Sequence, residues 1–319
     1  MRRLQLLIIL FLSLTTQTAG QRSHRDARNK FHDVLFVVKY NFNSSIKKLL
    51  LHHSLWRRVF KNQLIVVQWN QEQINKYRLI YGSSDSDYRI TTVPEKSNES
   101  GYFAYDALTT AMISYPQFSG YLYAHDDMAM NVSKLMELDM DSMWVTGESQ
   151  CVNLDKHDEW VWWYTEWGKK NVQKFLGSRT DLAMELKECF GSERVWCHGQ
   201  SDFFYVPWSL KDLTLRVLTA YRAYDIFLEI ALPTFHNCYG PMNRTLELPL
   251  CTAWNGPRNN YPVMYELCKN KTYTLFHPIK LTSDENIAGM VETMSLVDKG
   301  HLISSNRHSS ETHHSSDTE

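Results

Sequence analysis

At 319 residues, with 43% hydrophobic and 13% aromatic content, the chain can bury a sizeable core and is neither as apolar as a membrane bundle nor as polar as a disordered chain. A formal net charge of -1 lacks the basic footprint that nucleic-acid binders carry, so that partner class is excluded.

Arg2 and Arg3 precede an apolar run from Leu4 to Leu14 and then small polar residues to Gly20. This order predicts a secretory signal over residues 1–20, cleaved after Ala19 or Gly20. The run is shorter than the ~20 residues a spanning helix needs, so membrane attachment is expected only if the segment stays as a short signal anchor. Sequons at Asn43, Asn98, Asn131, Asn243 and Asn270 agree with a lumenal or secreted chain, in the Golgi, the ER or outside the cell. So do six cysteines, Cys151, Cys189, Cys197, Cys238, Cys251 and Cys268, an even count that an oxidising compartment would pair. Their connectivity stays open, and the lack of a Cys-x-x-Cys pair argues against zinc.

After a polar linker over residues 21–30, Val34 to Val38 is a continuous apolar run that predicts a strand buried on both faces. Ile46, Leu49, Leu50, Leu55, Trp56 and Phe60 recur at helical spacing, and Leu64 to Trp69 reads as a second buried strand. Strand, helix, strand predicts a βαβ unit and a parallel sheet. A third strand is expected at Tyr88 to Val93 and a helix from Tyr102 to Ser114, ended by Pro116. The expected fold class is α/β, a single domain over residues 31–283 with a mostly parallel central sheet and a disulfide-stapled C-terminal part. A helical segment over 284–303 and a disordered tail over 304–319 follow.

The stretch Gly120-Tyr-Leu-Tyr-Ala-His-Asp-Asp127 ends an apolar strand in one imidazole and two carboxylates. Ligands bind at the carboxyl ends of strands in such sheets, and carboxylates there hold Mg²⁺ or Mn²⁺ against phosphate. The alternative is that Asp126 and Asp127 open a turn or cap a helix from Val132 to Leu138. Tryptophans between Trp144 and Trp167, interleaved with Asp155, Asp158, Glu159 and Glu166, suit either a sugar face or a core wall. A polar helix is expected from Lys169 to Cys189, and Gly199 before the Phe203 strand lets backbone approach a ligand. One amphipathic helix from Leu210 to Leu232, ended by Pro233, would carry Asp225 and Glu229 on one face. A last strand from Tyr273 ends in His277 and Lys280.

Together, His125-Asp126-Asp127, the Gly199 to Pro207 loop and strand, the acids on the following helix and the late His277 resemble, in type and order, the GT-A fold nucleotide-sugar glycosyltransferases. More narrowly, the chain resembles lumenal glycosyltransferases related to the plant STELLO proteins. The resemblance implies a Rossmann-like GT-A domain with Asp127 and His277 as metal ligands, for Mn²⁺ or Mg²⁺. It implies donor contacts from His125, Asp126, Gly199, Asp202 and Lys280. Glu229, or else Asp225, would be the base that deprotonates the acceptor hydroxyl. The partners implied are a nucleotide-sugar donor and a glycan or glycoprotein acceptor. His125 departs from the pattern, standing where the first acid of Asp-x-Asp is expected, which removes a negative charge and softens the site. The competing expectations are a secreted carbohydrate-binding pseudo-glycosyltransferase without turnover and a metal-dependent hydrolase using the same acids.

Overall fold

The structure is a computed structural model that describes residues 30–40, 59–67, 71–81, 88–92, 102–147, 149–240, 244–252 and 273–279, with single positions (49, 53, 56, 57, 263 and 268) between them. The N-terminal segment, Lys280, most of the helix expected between Ile46 and Phe60, and the C-terminal 284–319 lie outside the described residues.

The strands are β1 (Val34–Lys39), β2 (Asn62–Val67), β3 (Tyr88–Thr92), β4 (Gly120–His125), β5 (Ala129–Met130), β6 (Met143–Thr146), β7 (Ser149–Asn153), β8 (Val195–Gly199), β9 (Phe203–Pro207), β10 (Thr245–Leu248), β11 (Leu250–Thr252) and β12 (Leu275–His277). The helices are α1 (Gln71–Tyr81), α2 (Tyr105–Ser114), α3 (Val132–Leu135), α4 (Lys169–Ser178), α5 (Thr180–Phe190), α6 (Lys211–Ala223) and α7 (Leu228–Tyr239).

Seven strands form the central sheet in the order β10-β6-β9-β4-β1-β2-β3. β1, β2, β3 and β4 run parallel, as do β6 and β10, whereas β9 is antiparallel to both β4 and β6. The chain is thus α/β with a mostly parallel sheet and one reversed strand. The order steps outward from β1 to β2 and β3 on one side and to β4 on the other, and ligands bind where such an order reverses. A three-stranded sheet, β11-β12-β5, and a two-stranded antiparallel sheet, β7-β8, accompany it.

β1, β2, β4, β6 and β9 are buried on both faces, as the unbroken apolar runs of β1, β2 and β4 predict, whereas the edge strand β10 is mostly half-buried. Leu35, Val37, Tyr121 and Tyr123 enter one core cluster with α2, α6 and α7, and Phe36, Val38, Leu122 and Ala124 enter the other with Trp56, Phe60, Ile74 and Tyr77.

The six cysteines pair as Cys151–Cys197, Cys189–Cys238 and Cys251–Cys268. The first crosses the antiparallel β7-β8 pair in register, the second ties α5 to α7, and the third fastens β11 to position 268. Three disulfides fit an oxidising compartment. Among the described residues no helix is long and apolar enough to cross a membrane.

Three helical expectations are corrected. The single helix from Leu210 to Leu232 is two, α6 and α7, separated by a turn in which Asp225 takes φ 54°. Pro233 does not end the second helix but lies inside it, six residues from its start, where the missing N–H leaves the Glu229 carbonyl without its usual intrahelical donor. The Lys169 to Cys189 helix likewise breaks at Arg179 into α4 and α5. Helix α1, whose first eight residues are polar apart from Ile74 and Tyr77, and the short strands β5, β6, β7, β10 and β11 are elements the sequence does not announce.

Candidate functional site

The site is assembled by strand register at the carboxyl edge of the sheet. β4 ends at His125, opposite Lys39, the last residue of β1. Because β9 is reversed, its beginning lies at this same edge. The β4-β9 register pairs Ala124 with Phe203, and so carries Asp202 to His125, whose backbone N–H donates to the Asp202 carbonyl at 2.9 Å. Directly after Asp127 the chain forms β5, which pairs antiparallel with β12, the strand that ends in His277. The Ile279 N–H then donates to the Asp127 carbonyl at 2.7 Å, closing the two segments on each other.

These pairings bring the side chains together. His125 Nδ1 lies 2.7 Å from Asp202 Oδ1, His277 Nδ1 lies 3.5 Å from Asp202 Oδ2, and His277 Nε2 lies 3.3 Å from Asp127 Oδ1. The result is an alternating chain, His125, Asp202, His277, Asp127, drawn from three strands, with every member at least 94% buried. Asp126 is equally buried, and its N–H donates to the Lys39 carbonyl at 3.1 Å. Tyr123 lies beneath, its ring edge-on to His125 at 5.6 Å. Burial first, then the charges of Asp202, Asp127 and Asp126, hold its phenol well above the usual range.

Glu229 stands in the first turn of α7, partly buried and within electrostatic reach of Asp202 and His277. Burial, reinforced by the Asp202 charge and opposed by His277, pushes its carboxyl up to about 8. Asp202 is driven the other way. Burial alone would raise it, but His277 and His125 outweigh that cost and hold its carboxyl below the ordinary value. One acid retaining its proton near neutrality beside another that is ionised is the division of labour expected of acid–base sites.

Two donor atoms on adjacent vertices of an octahedral ion with bonds of about 2.2 Å are about 3.1 Å apart. The 3.3 Å between Asp127 Oδ1 and His277 Nε2 fits one divalent ion shared by the pair. Asp202 Oδ2 is a buried carboxylate oxygen without a hydrogen bond among the described residues, which also favours added positive charge nearby. No group of three or more His, Cys, Asp and Glu side chains converges in metal-binding geometry among the described residues.

The cap reading of the acids is not what the structure contains. Helix α3 is capped by Asn131, whose side chain accepts from the Lys134 N–H, so Asp126 and Asp127 are not caps. Asp225, expected on one helix face with Glu229, instead lies exposed on the α6-α7 turn, paired with Arg222. The two are not on one helical face because the turn rotates the chain between them. Gly199 ends β8 and its carbonyl accepts from Ser201 Oγ at 3.1 Å, while the Gln200 carbonyl accepts from Thr146 Oγ1 at 2.8 Å, so the loop before Asp202 is pinned. Lys280 lies outside the described residues.

The tryptophans divide between core and surface. Trp144 and Trp163 are fully buried core residues. Trp160, Trp162 and Trp167 are half-buried: Trp160 stacks on His198 at 4.5 Å and lies 6.0 Å from Phe227, while Trp162 and Trp167 meet Tyr102 edge-on or tilted.

Residues that sequence reasoning missed are Lys39, with its neighbours Asp106 and Arg222, and the buried pair His198 Nε2 to Asp158 Oδ2 at 2.9 Å. Lys39 carried a readable signal, a charge ending an apolar run just as His125 ends β4. Its Nζ is buried without a hydrogen-bond partner, and burial lowers it to about 8 against the pull of Asp106 and Asp126.

No protein-family model matches the chain, and no curated protein matches it. Among solved structures it is similar to the crystal structure of a glycosyltransferase involved in the glycosylation of the major capsid of PBCV-1, at 11% identity and a TM-score of 0.37, over 82% of this chain and 99% of that one.

Proposed function

We propose that the chain is a glycosyltransferase of the secretory pathway that uses a nucleotide-sugar donor, a divalent ion and a glycan or glycoprotein acceptor. The observation that carries this reading is the meeting of Asp127, Asp202 and His277, from separate parts of the chain, at the carboxyl edge of one sheet, with Glu229 within electrostatic reach of Asp202 and His277. Their order and types are those of the GT-A resemblance; the narrower kinship with STELLO-related enzymes rests on the sequence motifs alone.

Asp127 and His277 would hold Mn²⁺ or Mg²⁺, which would supply positive charge against the diphosphate leaving group. Glu229 accepts the proton of the acceptor hydroxyl as its oxygen bonds to the anomeric carbon. The bond from that carbon to the donor phosphate breaks, and its electron pair leaves with the diphosphate. Direct displacement by a base-activated hydroxyl inverts the anomeric configuration. Asp126, between Lys39 and the ion site, orients the donor.

The direct test is hydrolysis of UDP-, GDP- and CMP-sugars with and without Mn²⁺. Metal-dependent release of nucleotide that disappears in Asp127→Ala is the expected result. Absence of turnover with every donor, in wild type and variant alike, overturns the proposal.

A further inference from the structure

The amino edge of the central sheet, opposite the edge where Asp127 and His277 meet, carries a concave feature of its own. A cleft of about 470 Å³ opens there, lined in part by Asp33, Gln117, Ser119, Asp141, Trp208 and Ser209. That volume lies in the range of small-molecule sites. Asp33 and Ser119 immediately precede β1 and β4, Asp141 lies two residues before β6, and Trp208 directly follows the reversed strand β9. Four neighbouring strands of one sheet therefore place these residues.

The frame of the cleft is fixed by short-range bonds. The Asp33 carbonyl accepts from the Ser119 N–H at 2.8 Å and from Ser119 Oγ at 2.9 Å, and the Ser119 carbonyl accepts from the Trp208 N–H at 2.9 Å. The turn that carries Asp141 is tied by the Asp139 carboxylate, which accepts from the Asp141 N–H at 3.1 Å and from Ser142 Oγ at 2.9 Å. Tyr205 Oη donates to the Met140 carbonyl at 3.0 Å and holds the same turn to β9. A surface fixed in this way loses little freedom when a ligand arrives.

Trp208 differs from the other described tryptophans. It is 58% exposed, whereas Trp56, Trp144, Trp163 and Trp196 are fully buried and Trp160, Trp162 and Trp167 are half-buried. The face of an indole is electron-rich and receives C–H groups. Around it, Asp33 and Asp141 accept hydrogen bonds, and Gln117, Ser119 and Ser209 can both donate and accept. An apolar plate ringed by such groups suits a neutral polyol. Among the described residues the lining holds no Lys or Arg, which disfavours a phosphate or another anion. A cationic ligand is disfavoured as well, because Lys211 Nζ already lies 5.9 Å from the Trp208 ring centroid and would repel a second ammonium there.

We propose that this cleft is a saccharide-binding site, in which one sugar ring of a glycan lies on Trp208 with its hydroxyls on Asp33 and Asp141. It is separate from the site at the carboxyl edge: β4, from Gly120 to His125, sets the two edges about 17 Å apart. The cleft therefore takes a part of a glycan remote from any reacting hydroxyl, and it does not depend on the carboxyl edge being a transferase site.

The test is saturation-transfer NMR of the full chain with glucose, galactose, mannose, N-acetylglucosamine, lactose and chitobiose, repeated in Trp208→Ala, Asp141→Asn and Asp127→Ala. Trp208 and Asp141 are exposed, so both variants should fold, which circular dichroism checks. At least one sugar should bind saturably, with affinity about tenfold lower in Trp208→Ala. Binding should also weaken in Asp141→Asn and persist in Asp127→Ala. Metal-dependent nucleotide release should be the same in Trp208→Ala as in wild type. Absence of binding by every sugar overturns the proposal, as does undiminished binding in Trp208→Ala. Binding lost in Asp127→Ala but kept in Trp208→Ala overturns it too, by placing the sugar at the carboxyl edge. A tri-lysine peptide that binds in place of sugars and is released by salt would assign the cleft to a basic segment and end the saccharide reading. Sugar binding at Trp208 without any nucleotide release would defeat the transferase reading and leave this site standing.

Discussion

Asp127 Oδ1 and His277 Nε2 lie 3.3 Å apart because β5, which follows Asp127, pairs with β12, which ends in His277. The contact is therefore built by backbone pairing rather than by the two side chains finding each other. Substituting either residue by alanine should leave the strands paired while removing one donor. Calorimetric Mn²⁺ titration should show affinity falling in both Asp127→Ala and His277→Ala, with the thermal midpoint little changed or raised in Asp127→Ala, since a buried carboxylate is costly without its counter-charge. Full-strength binding in either variant would remove that residue from the ion site.

Glu229 supplies a pH prediction. Its carboxyl sits at about 8 in the fold against an ordinary value of 4.5. Between these values the folded protein holds a proton that the unfolded chain has released. Its contribution to stability is fully present below about 4.5 and is lost as pH rises through about 8. Glu229→Gln carries no such loss, so it should be more stable than wild type at pH 9 by a few kcal/mol, with the gap closing toward pH 4.5 in urea melts. Turnover should respond oppositely. The wild-type rate should climb with pH, be half-maximal near 8 and level off above it, and the glutamine variant should be slower by about 10²–10⁴-fold at that plateau.

Asp225 tests the correction to the helix. It is exposed, sits at φ 54° on the α6-α7 turn and pairs with Arg222. Aspartate, asparagine and glycine tolerate this backbone region and other side chains do not. Asp225→Asn should therefore leave kcat/KM unchanged. Asp225→Val should lower the stability by about 1–2 kcal/mol, measured by denaturant midpoint, again without a specific effect on turnover. A large kinetic effect of the asparagine variant would return Asp225 to the reaction.

The central sheet was legible because its strands are unbroken apolar runs whose charged ends mark the sheet edge. Val34 to Val38 and Gly120 to His125 needed no other information. The site residues Asp127, His277 and Glu229 were legible as types in an order. Their meeting depends on the β5-β12 and β4-β9 pairings, which involve a two-residue strand and a reversed strand that local periodicity does not specify. The same limit hid the break between α6 and α7. Apolar positions continue at helical spacing through Ile226, and the turn shows itself only in the tertiary bonds that hold it, from the Leu228 N–H to the Tyr102 carbonyl and from the Asn171 side chain to the Asp225 carbonyl. The resemblance gives Asp202 only as a donor contact, since nothing in its neighbours in sequence names the two imidazoles it faces.

The Cys151–Cys197 disulfide crosses the antiparallel β7-β8 pair just before His198 and Gly199. Thr234 of α7 bonds both the N–H and the carbonyl of Cys197, so the same strand pair supports the helix that carries Glu229. Replacing both cysteines by alanine should cost about 2–4 kcal/mol in denaturant melts. If the strand pair also holds α7 in place, the turnover of the folded variant should drop while Mn²⁺ affinity at Asp127 and His277 stays near wild type. Equal loss of both would place the disulfide's influence on the whole edge of the sheet.

Lys39 is a charge kept in an expensive place. Its side chain shares the strand face of Leu35 and Val37, which point into the core cluster under α2, and its Nζ is buried with no hydrogen-bond donor–acceptor partner. Asp106, itself bonded through Oδ2 to Arg222 Nε at 2.6 Å, and Asp126 both favour its charge, yet burial outweighs them and lowers it to about 8 from 10.5. The unfolded chain therefore holds a proton up to about 10.5 that the fold gives up from about 8. The deficit is present in full below pH 8 and disappears as pH rises to about 10.5. Lys39→Met should raise the stability at pH 7 by a few kcal/mol, and the two proteins should converge in melts near pH 10.5. A methionine variant less stable than wild type at pH 7 would mean that the lysine is needed as the counter-charge of Asp106 and Asp126, and that their mutual repulsion without it exceeds the cost of burying it.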